Sequence, residues 1–410
     1  MRLMGLDVPE MKELLHPTMP LQYGDQDDTG KVGGARHLSS VLPAMSSAIG
    51  HPIATSVHPS PEGLQAALNL PDADSAVVVL VDGLGFWNLA TRAGHVPYLR
   101  SLLNEPLNQR PLTTCLPSTT VAAMGVFGTG TCPGLTGMTG YTQLNPENGL
   151  ISQMIQFRDA LDPLDLQRQP TVFEQLVAQD VRVTSCGLPR FRDSALTRAA
   201  LRGSDYRSAS HSRQRVLDTA RAAREPGLTY LYVRDVDKVG HHHGWDTPEW
   251  IAALENADAL LALLHRSLPK GTLVVIVADH GMVAADPAQR IDIACEPVLN
   301  EGVELVGGEP RAVMLYARKD VDPNAIAERW RSRLGDLATV MTREESIGAG
   351  LFGEVDDRVR PMIGDLLVLA HDRMTLVDSR IQIDAATRLP GVHGSSTILE
   401  TQIPCLIDLI

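Results

Sequence analysis

Cysteine is sparse in this sequence and shows no pairing pattern. The five present (Cys115, Cys132, Cys186, Cys295 and Cys405) are odd in number, scattered, and form no C-x-x-C pair. This argues against a disulfide framework or a cysteine-based zinc site, and it fits a reducing compartment. Positive charge is also short, with 36 basic against 49 acidic residues and a formal charge of −13. A protein that coats nucleic acid draws its affinity from basic patches, so no such surface is expected. A phosphorylated substrate stays open, because a bound metal reverses the local field. Long apolar runs are missing as well. "SAVVVLV" and "TLVVIVA" are far too short to span a bilayer, so no membrane partner is expected. The opening "MRLMGLDVPEMKELLHP" has neither a continuous apolar h-region nor an evident cleavage site. The expectation is therefore no secretory leader and a cytoplasmic location.

What is present reads as an ordinary soluble globular chain, 44% hydrophobic and 21% charged over 410 residues. Residues 1 to about 35 are polar and turn Gly/Asp-rich toward "YGDQDDTGKVGG", which predicts a tail or peripheral arm. From there β-branched runs alternate with helical spacing. "SAVVVLV" (75–81), "DVRVTSC" (180–186), "LTYLYVRD" (228–235) and "TLVVIVAD" (272–279) are the predicted strands. Strands alternating with amphipathic helices predict an α/β fold with a mainly parallel central sheet sandwiched by helices. Between about 286 and 385 the texture changes to short runs with Gly and Pro turns, which predicts a small inserted α+β subdomain. The catalytic core is then 36–285 with 386–410.

Three of the strand-like runs end in aspartate: Asp82, Asp235 with Asp237 just beyond, and Asp279. In such sheets ligands bind at the carboxyl ends of strands, so three carboxylates there suggest one shared site. In "IVADHGM", Asp279 and His280 stand where a strand gives way to a glycine turn, and both can reach one cation. In "DVDKVGHHHG", Asp237 and His241 are four apart, and a helical turn or a tight loop would bring both onto one metal. His393 lies between glycines in "LPGVHGSS". Taken singly, these are equally a capped turn, a polar loop and a surface histidine. Together they form Asp/His sets suited to zinc or manganese, and two such metals suit phosphoryl chemistry. A hydroxyl nucleophile is available in "CLPSTTVAAMGVFGTG", where Ser118, Thr119 or Thr120 would open a helix whose free N–H groups favour an anion. An ordinary Ser/Thr helix cap is the plain alternative.

The ordered set Asp82-Gly83, Thr120 ahead of Thr129-Gly130, Asp237-x-x-x-His241, Asp279-His280-Gly281 and Gly391-x-His393-Gly394 resembles the alkaline phosphatase superfamily. Within it, the nucleotide pyrophosphatase/phosphodiesterase type is the nearest pattern. The resemblance spans roughly residues 75 to 400. It implies two divalent metal ions, zinc or manganese. One would be held by Asp82, Thr120, Asp279 and His280, and the other by Asp237, His241 and His393. His242 and His243 would then be neighbours or substrate-facing residues, and Thr120 rather than Thr119 the nucleophile. The family often places a phosphate-binding asparagine about 21 residues after the nucleophile; here that position is Tyr141, whose hydroxyl offers a comparable hydrogen bond. "CLPST" is similar to the sulfatase pattern C-x-P-x-R but has Thr119 where the arginine belongs.

The implied function is hydrolysis of phosphodiester or nucleotide pyrophosphate bonds through a phospho-threonine, on a small phosphorylated substrate such as a nucleotide. A phosphomonoesterase or phosphonate hydrolase would add cations, for which Arg190 and Arg192 are the candidates. A metal-stabilised binding protein is the non-enzymatic alternative, and it has no use for a nucleophile beside a full ligand set.

Overall fold

The computed structural model describes residues 5–19, 23 and 34–410. The run "SAVVVLV" forms β1 (Ser75–Val81), in which all seven residues are buried, as expected for a strand covered on both faces. Val183–Gly187 (β2), Asp205–Ser208 (β3), Gly227–Val233 (β4) and Leu273–Val277 (β5) follow. Parallel pairing joins β5, β1, β4, β2 and β3 in that spatial order. Helices flank this sheet. Among them are α1 (Thr120–Thr129), α2 (Ser212–Ala222), α3 (Asp235–His243) and α4 (Pro248–Ser267). α4 shows how local sequence sets an element: the Thr247 hydroxyl caps Trp250 N, Pro248 fills the first turn, and Trp250, Leu254, Leu261 and Leu264 bury one face. Because β1, β4 and β5 are parallel, the residues just beyond them gather along one edge of the sheet.

A second sheet follows. β6 (Val303–Glu309), β7 (Ala312–Ala317), β8 (Ala338–Thr342) and β9 (Leu366–Ala370) pair antiparallel in the order β6-β7-β9-β8. One face packs on α5 (Pro323–Leu334) through Ile326, Ala327 and Trp330. The other, with Met314, Tyr316 and Leu367, meets Leu116 and Phe352 of the neighbouring loops. The chain returns as β10 (Cys405–Leu409), antiparallel to β5.

A fully buried ion pair ties the second sheet to the C-terminal segment ahead of β10. Arg311, in the turn between β6 and β7, donates from Nε and Nη2 to the two oxygens of Glu400 at 2.7 and 2.8 Å. Its remaining donors meet the carbonyls of Met374 and Ala370. Glu400 also accepts from Ser395 N and the Thr397 hydroxyl, so the segment following His393 is held from several directions. Removing one partner of such a pair leaves an uncompensated charge, at a cost of about 3–5 kcal/mol.

The short helix Met11–Leu14 packs Leu14 into the core, and Thr18 N donates to Ser396 O at 2.7 Å. Most of the Gly/Asp-rich stretch expected as a tail, residues 24–33, lies outside the described residues. Among the described residues no helix is long and apolar enough to cross a membrane. All five cysteines are free, and four of them are buried.

Candidate metal centre and nucleophile

Three strand ends deliver the acids. Asp82 directly follows β1, Asp279 lies two residues beyond β5, and Asp237 sits in the first turn of α3, which begins two residues after β4. The question of helix or loop for "DVDKVGHHH" is settled: it is helical, so the spacing of four puts Asp237 and His241 on one face. His241 Nε2 lies 3.3 Å from Asp237 Oδ1. Gly83, with φ of +69°, turns the chain away from β1 beneath this helix; a Cβ there would come within 2.8 Å of the Asp237 Cβ.

Six of the residues predicted from sequence come together as two groups, Asp82/Asp279/His280 and Asp237/His241/His393. Within each group the potential ligand atoms lie within 4.8 Å of one another. The stacked rings of His280 and His393, with centroids 3.5 Å apart, join the two groups.

All three imidazoles are oriented by the backbone. Nδ1 of His241, His280 and His393 lies 2.8, 3.0 and 2.8 Å from the carbonyl oxygens of Gly391, Gly281 and Ser118. A carbonyl only accepts, so each Nδ1 carries the proton and each Nε2 turns a lone pair into the cluster. The His241 and His393 Nε2 atoms are 3.3 Å apart, two lone pairs facing one another. The acids are equally poised: Asp82 Oδ1, Asp237 Oδ1 and Asp279 Oδ2 are buried and accept no hydrogen bond. No lysine or arginine among the described residues forms an ion pair with them. Facing lone pairs and orphaned carboxylate oxygens are what a cation would satisfy, so the donor set fits divalent metal.

The electrostatics reflect the crowding of these groups in a buried site. Burial first, and then the neighbouring Asp279, push the Asp82 carboxyl well above the usual range. Burial raises Asp237 and Asp279 to about 6. Burial also drives His280 down to about 4 and His393 well below the ordinary histidine value, in the second case with help from His280.

The two threonines differ sharply. Thr119 is buried at the N-cap position of α1, where its hydroxyl makes no capping bond; it lies near Glu309, whose carboxyl burial pushes up to about 8 against the lowering influence of Thr119. Thr120 is the first residue of α1 and only partly buried, and its Oγ1 lies 3.1 Å from His280 Nε2.

The remaining candidates lie elsewhere. His242 and His243 are exposed, and His242 Nδ1 bonds Lys238 O within its own helix. The exposed Tyr141 has its hydroxyl 2.9 Å from the Gln153 amide nitrogen, and no hydrogen bond among the described residues joins it to the cluster. Arg192 donates to the Ser208 hydroxyl, and Arg190 lies over the Phe191 ring.

Several supporting residues escaped the sequence reading. Tyr232 donates its hydroxyl to Asp82 Oδ2. The buried Asn88 amide brackets Met282, donating to its carbonyl and accepting from its N–H, which fixes the "DHGM" turn. Glu309 and the Arg311–Glu400 pair come from the second sheet and the C-terminal segment. Only period-two alternation marked Tyr232 in β4, and nothing local distinguished the others.

With this geometry in place, the likenesses to known proteins are informative. The family described as Type I phosphodiesterase / nucleotide pyrophosphatase matches residues 76–396, well over half of the chain. Among solved structures, murine ectonucleotide pyrophosphatase / phosphodiesterase 5 is similar with a TM-score of 0.64 at 15% identity, covering 81% of this chain and 87% of that one. Phosphonoacetate hydrolase from Sinorhizobium meliloti, in complex with phosphonoformate, is similar with a TM-score of 0.62 at 21% identity, covering 82% and 90%. At such identities these likenesses show a shared fold. A phosphopentomutase of Rhizobium johnstonii is 31% identical over 127 residues, 30% of this chain and 29% of that protein. One of Rhizobium leguminosarum bv. trifolii is 42% identical over 74 residues, 18% and 17%. The chain thus spans less than a third of the length of these relatives.

Proposed function

Because this chain belongs to the type I phosphodiesterase / nucleotide pyrophosphatase family, we propose that it hydrolyses phosphodiester or nucleotide pyrophosphate bonds through a phosphoryl group carried on Thr120. The observation that carries this reading is Thr120 Oγ1 beside His280 Nε2, at a helix start and against two acid–histidine groups with unpartnered carboxylate oxygens. We assign Asp82, Thr120, Asp279 and His280 to one divalent ion and Asp237, His241 and His393 to a second, with zinc or manganese the fitting elements. Such ions supply, when bound, Lewis-acid stabilisation of a threonine alkoxide and of the departing oxygen.

The chain's own residues do the rest. Thr120 Oγ attacks phosphorus as the bond to the leaving oxygen breaks, and water then cleaves the Thr120 phosphoester to restore the hydroxyl. The start of α1 carries no side-chain cap, and its free N–H groups favour an anion beside Thr120. Thr119 is 1% exposed, and no hydrogen bond among the described residues joins its side chain to the cluster. Five free cysteines support a reducing, cytoplasmic setting.

Among the described residues no lysine or arginine pairs with the cluster, which favours the single negative charge of a diester over the nearly two of a monoester. The test is the ratio of kcat/KM on bis-p-nitrophenyl phosphate and p-nitrophenyl phosphate with the same metal. Preference for the diester is expected. A monoester preference abolished by Arg190→Ala would instead support a phosphomonoesterase or phosphonate hydrolase, for which the arginine-lined cleft next to the cluster is the favouring observation.

A further inference from the structure

Beside the metal-ligand cluster, on the same edge of the central sheet, lies a cleft of about 470 Å³ that this chemistry leaves unused. The cluster takes its acids from the ends of β5, β1 and β4. The cleft opens beyond the ends of β4, β2 and β3, the next strands along, where Arg234, Arg190 and Ser210 follow them. It therefore continues the site laterally along the carboxyl edge, where ligands of such sheets bind.

Its lining is cationic. Arg190, Arg215 and Arg234 face Asp235 as the single carboxylate, so three guanidiniums against one acid leave an excess of two positive charges. In a chain of net charge −13 this is a local reversal of sign. Arg215 is buried, 6% exposed, and spends Nη1 on the Ala209 and Ser210 carbonyls, which fixes it in the wall. The side chains of Arg190 and Arg234 make no hydrogen bond or ion pair among the described residues, so their donors are free for a ligand. The walls add the hydroxyls of Ser210 and Ser212. Ser212 also opens α2, an eleven-residue helix with no side-chain cap at its N-terminus. The cleft and cluster are physically linked. Arg190 lies 4.8 Å over the Phe191 ring, Phe191 packs edge-on against Tyr232 at 5.9 Å, and the Tyr232 hydroxyl holds Asp82.

We propose that this cleft is a second anion subsite, and that the preferred substrate carries a phosphate or carboxylate remote from the phosphodiester cleaved at Thr120. Guanidiniums are the side chains that grip such oxyanions in a planar, two-pronged way, and a volume of this order accommodates a sugar phosphate. The inference rests on the phosphodiesterase reading above, and it names a substrate feature which that reading leaves open.

The experiment uses the metal-loaded full chain and two substrates with the same reacting bond: thymidine 5′-(p-nitrophenyl phosphate) and its 3′-phosphorylated counterpart. The 3′-phosphate should raise kcat/KM by about tenfold or more, the scale of a hydrogen-bonded charge pair. That advantage should vanish in Arg190→Ala/Arg234→Ala, whose side chains are exposed and half-buried respectively and hold no hydrogen bond or ion pair among the described residues. Arg213→Ala, which removes an exposed charge on α2 outside the cleft, should leave the ratio intact. A 3′-carboxymethyl analogue separates phosphate from carboxylate as the recognised anion. In parallel, calorimetric titration with thymidine 3′,5′-bisphosphate and thymidine 5′-phosphate reads binding without turnover. Wild type should bind the bisphosphate about tenfold more tightly than the monophosphate, and the double variant should not. If neither ester is hydrolysed, the phosphodiesterase reading fails, while the titration still decides the cleft. Equal affinities in wild type, or equal losses in Arg213→Ala, would overturn the subsite.

Discussion

The carboxyl edge of the central sheet has two halves of opposite character. Around β5, β1 and β4, three carboxylates and three histidine lone pairs converge, largely buried and paired with no lysine or arginine among the described residues. Around β4, β2 and β3, three arginines line an open cleft with one acid. In the first half every histidine is hydrogen-bonded to a backbone carbonyl; in the second, among the described residues, only the Arg215 guanidinium is. The contrast teaches what each half requires. A buried cluster of like charge is stable only with counter-ions, whereas exposed guanidiniums persist in water and gain by meeting an anion.

The largest expected effect tests the reactive end of the anionic half. Thr120→Ala should keep fold and metal yet lower turnover by about 10⁴-fold or more, the scale of a lost nucleophile. Thr119→Ala should stay within about tenfold, since no hydrogen bond among the described residues joins its hydroxyl to the cluster. Mass spectrometry of a trapped intermediate should place the phosphoryl group on Thr120; finding it on Thr119 would reverse the assignment.

A second break point is the histidine run. His241→Ala removes a cluster lone pair and should weaken metal binding by at least about 100-fold, by competition with a chromogenic chelator. His242→Ala and His243→Ala alter exposed side chains and should change it less than about threefold. Metal loss in His242→Ala would shift the register by one residue.

The smaller effect distinguishes the halves by sign. In metal-stripped protein, Asp237 titrates near 6 rather than near 3.8, so the folded state binds more protons than the unfolded state between those values. Stability contributed through this group therefore falls as pH rises through that window. Asp237→Asn should be more stable than wild type by about 1–3 kcal/mol at pH 7. That advantage should close below pH 4 and reverse once metal is added. Arg234→Ala should stay within about 0.5 kcal/mol across the same range. Denaturant titrations at several pH values read both.

The parallel sheet was legible because β1, β4 and β5 are apolar runs with an aspartate at or just beyond their ends, whereas β3, polar and partly exposed, was not among the predicted strands. The sequence reading named the six clustered residues because residue type, spacing and order survive in a linear chain. The supporting contacts were not legible, since Tyr232, Asn88, Glu309 and Arg311 act across long sequence separations and each looks ordinary in its own segment. The cleft was half legible. Arg190 was singled out as a cation, but Arg215 and Arg234 belong to other elements, and only the folding of β2, β3 and β4 side by side brings all three together.

The central claim is that the acid–histidine cluster is a cation site that turnover requires. Metal analysis of full-length wild type, with Asp237→Ala and Asp279→Ala beside it, tests this most directly. We expect about two divalent ions per wild-type chain, about one or fewer in each variant, and activity that chelation removes and zinc or manganese restores. Wild-type protein that remains fully active with no bound metal would contradict the account.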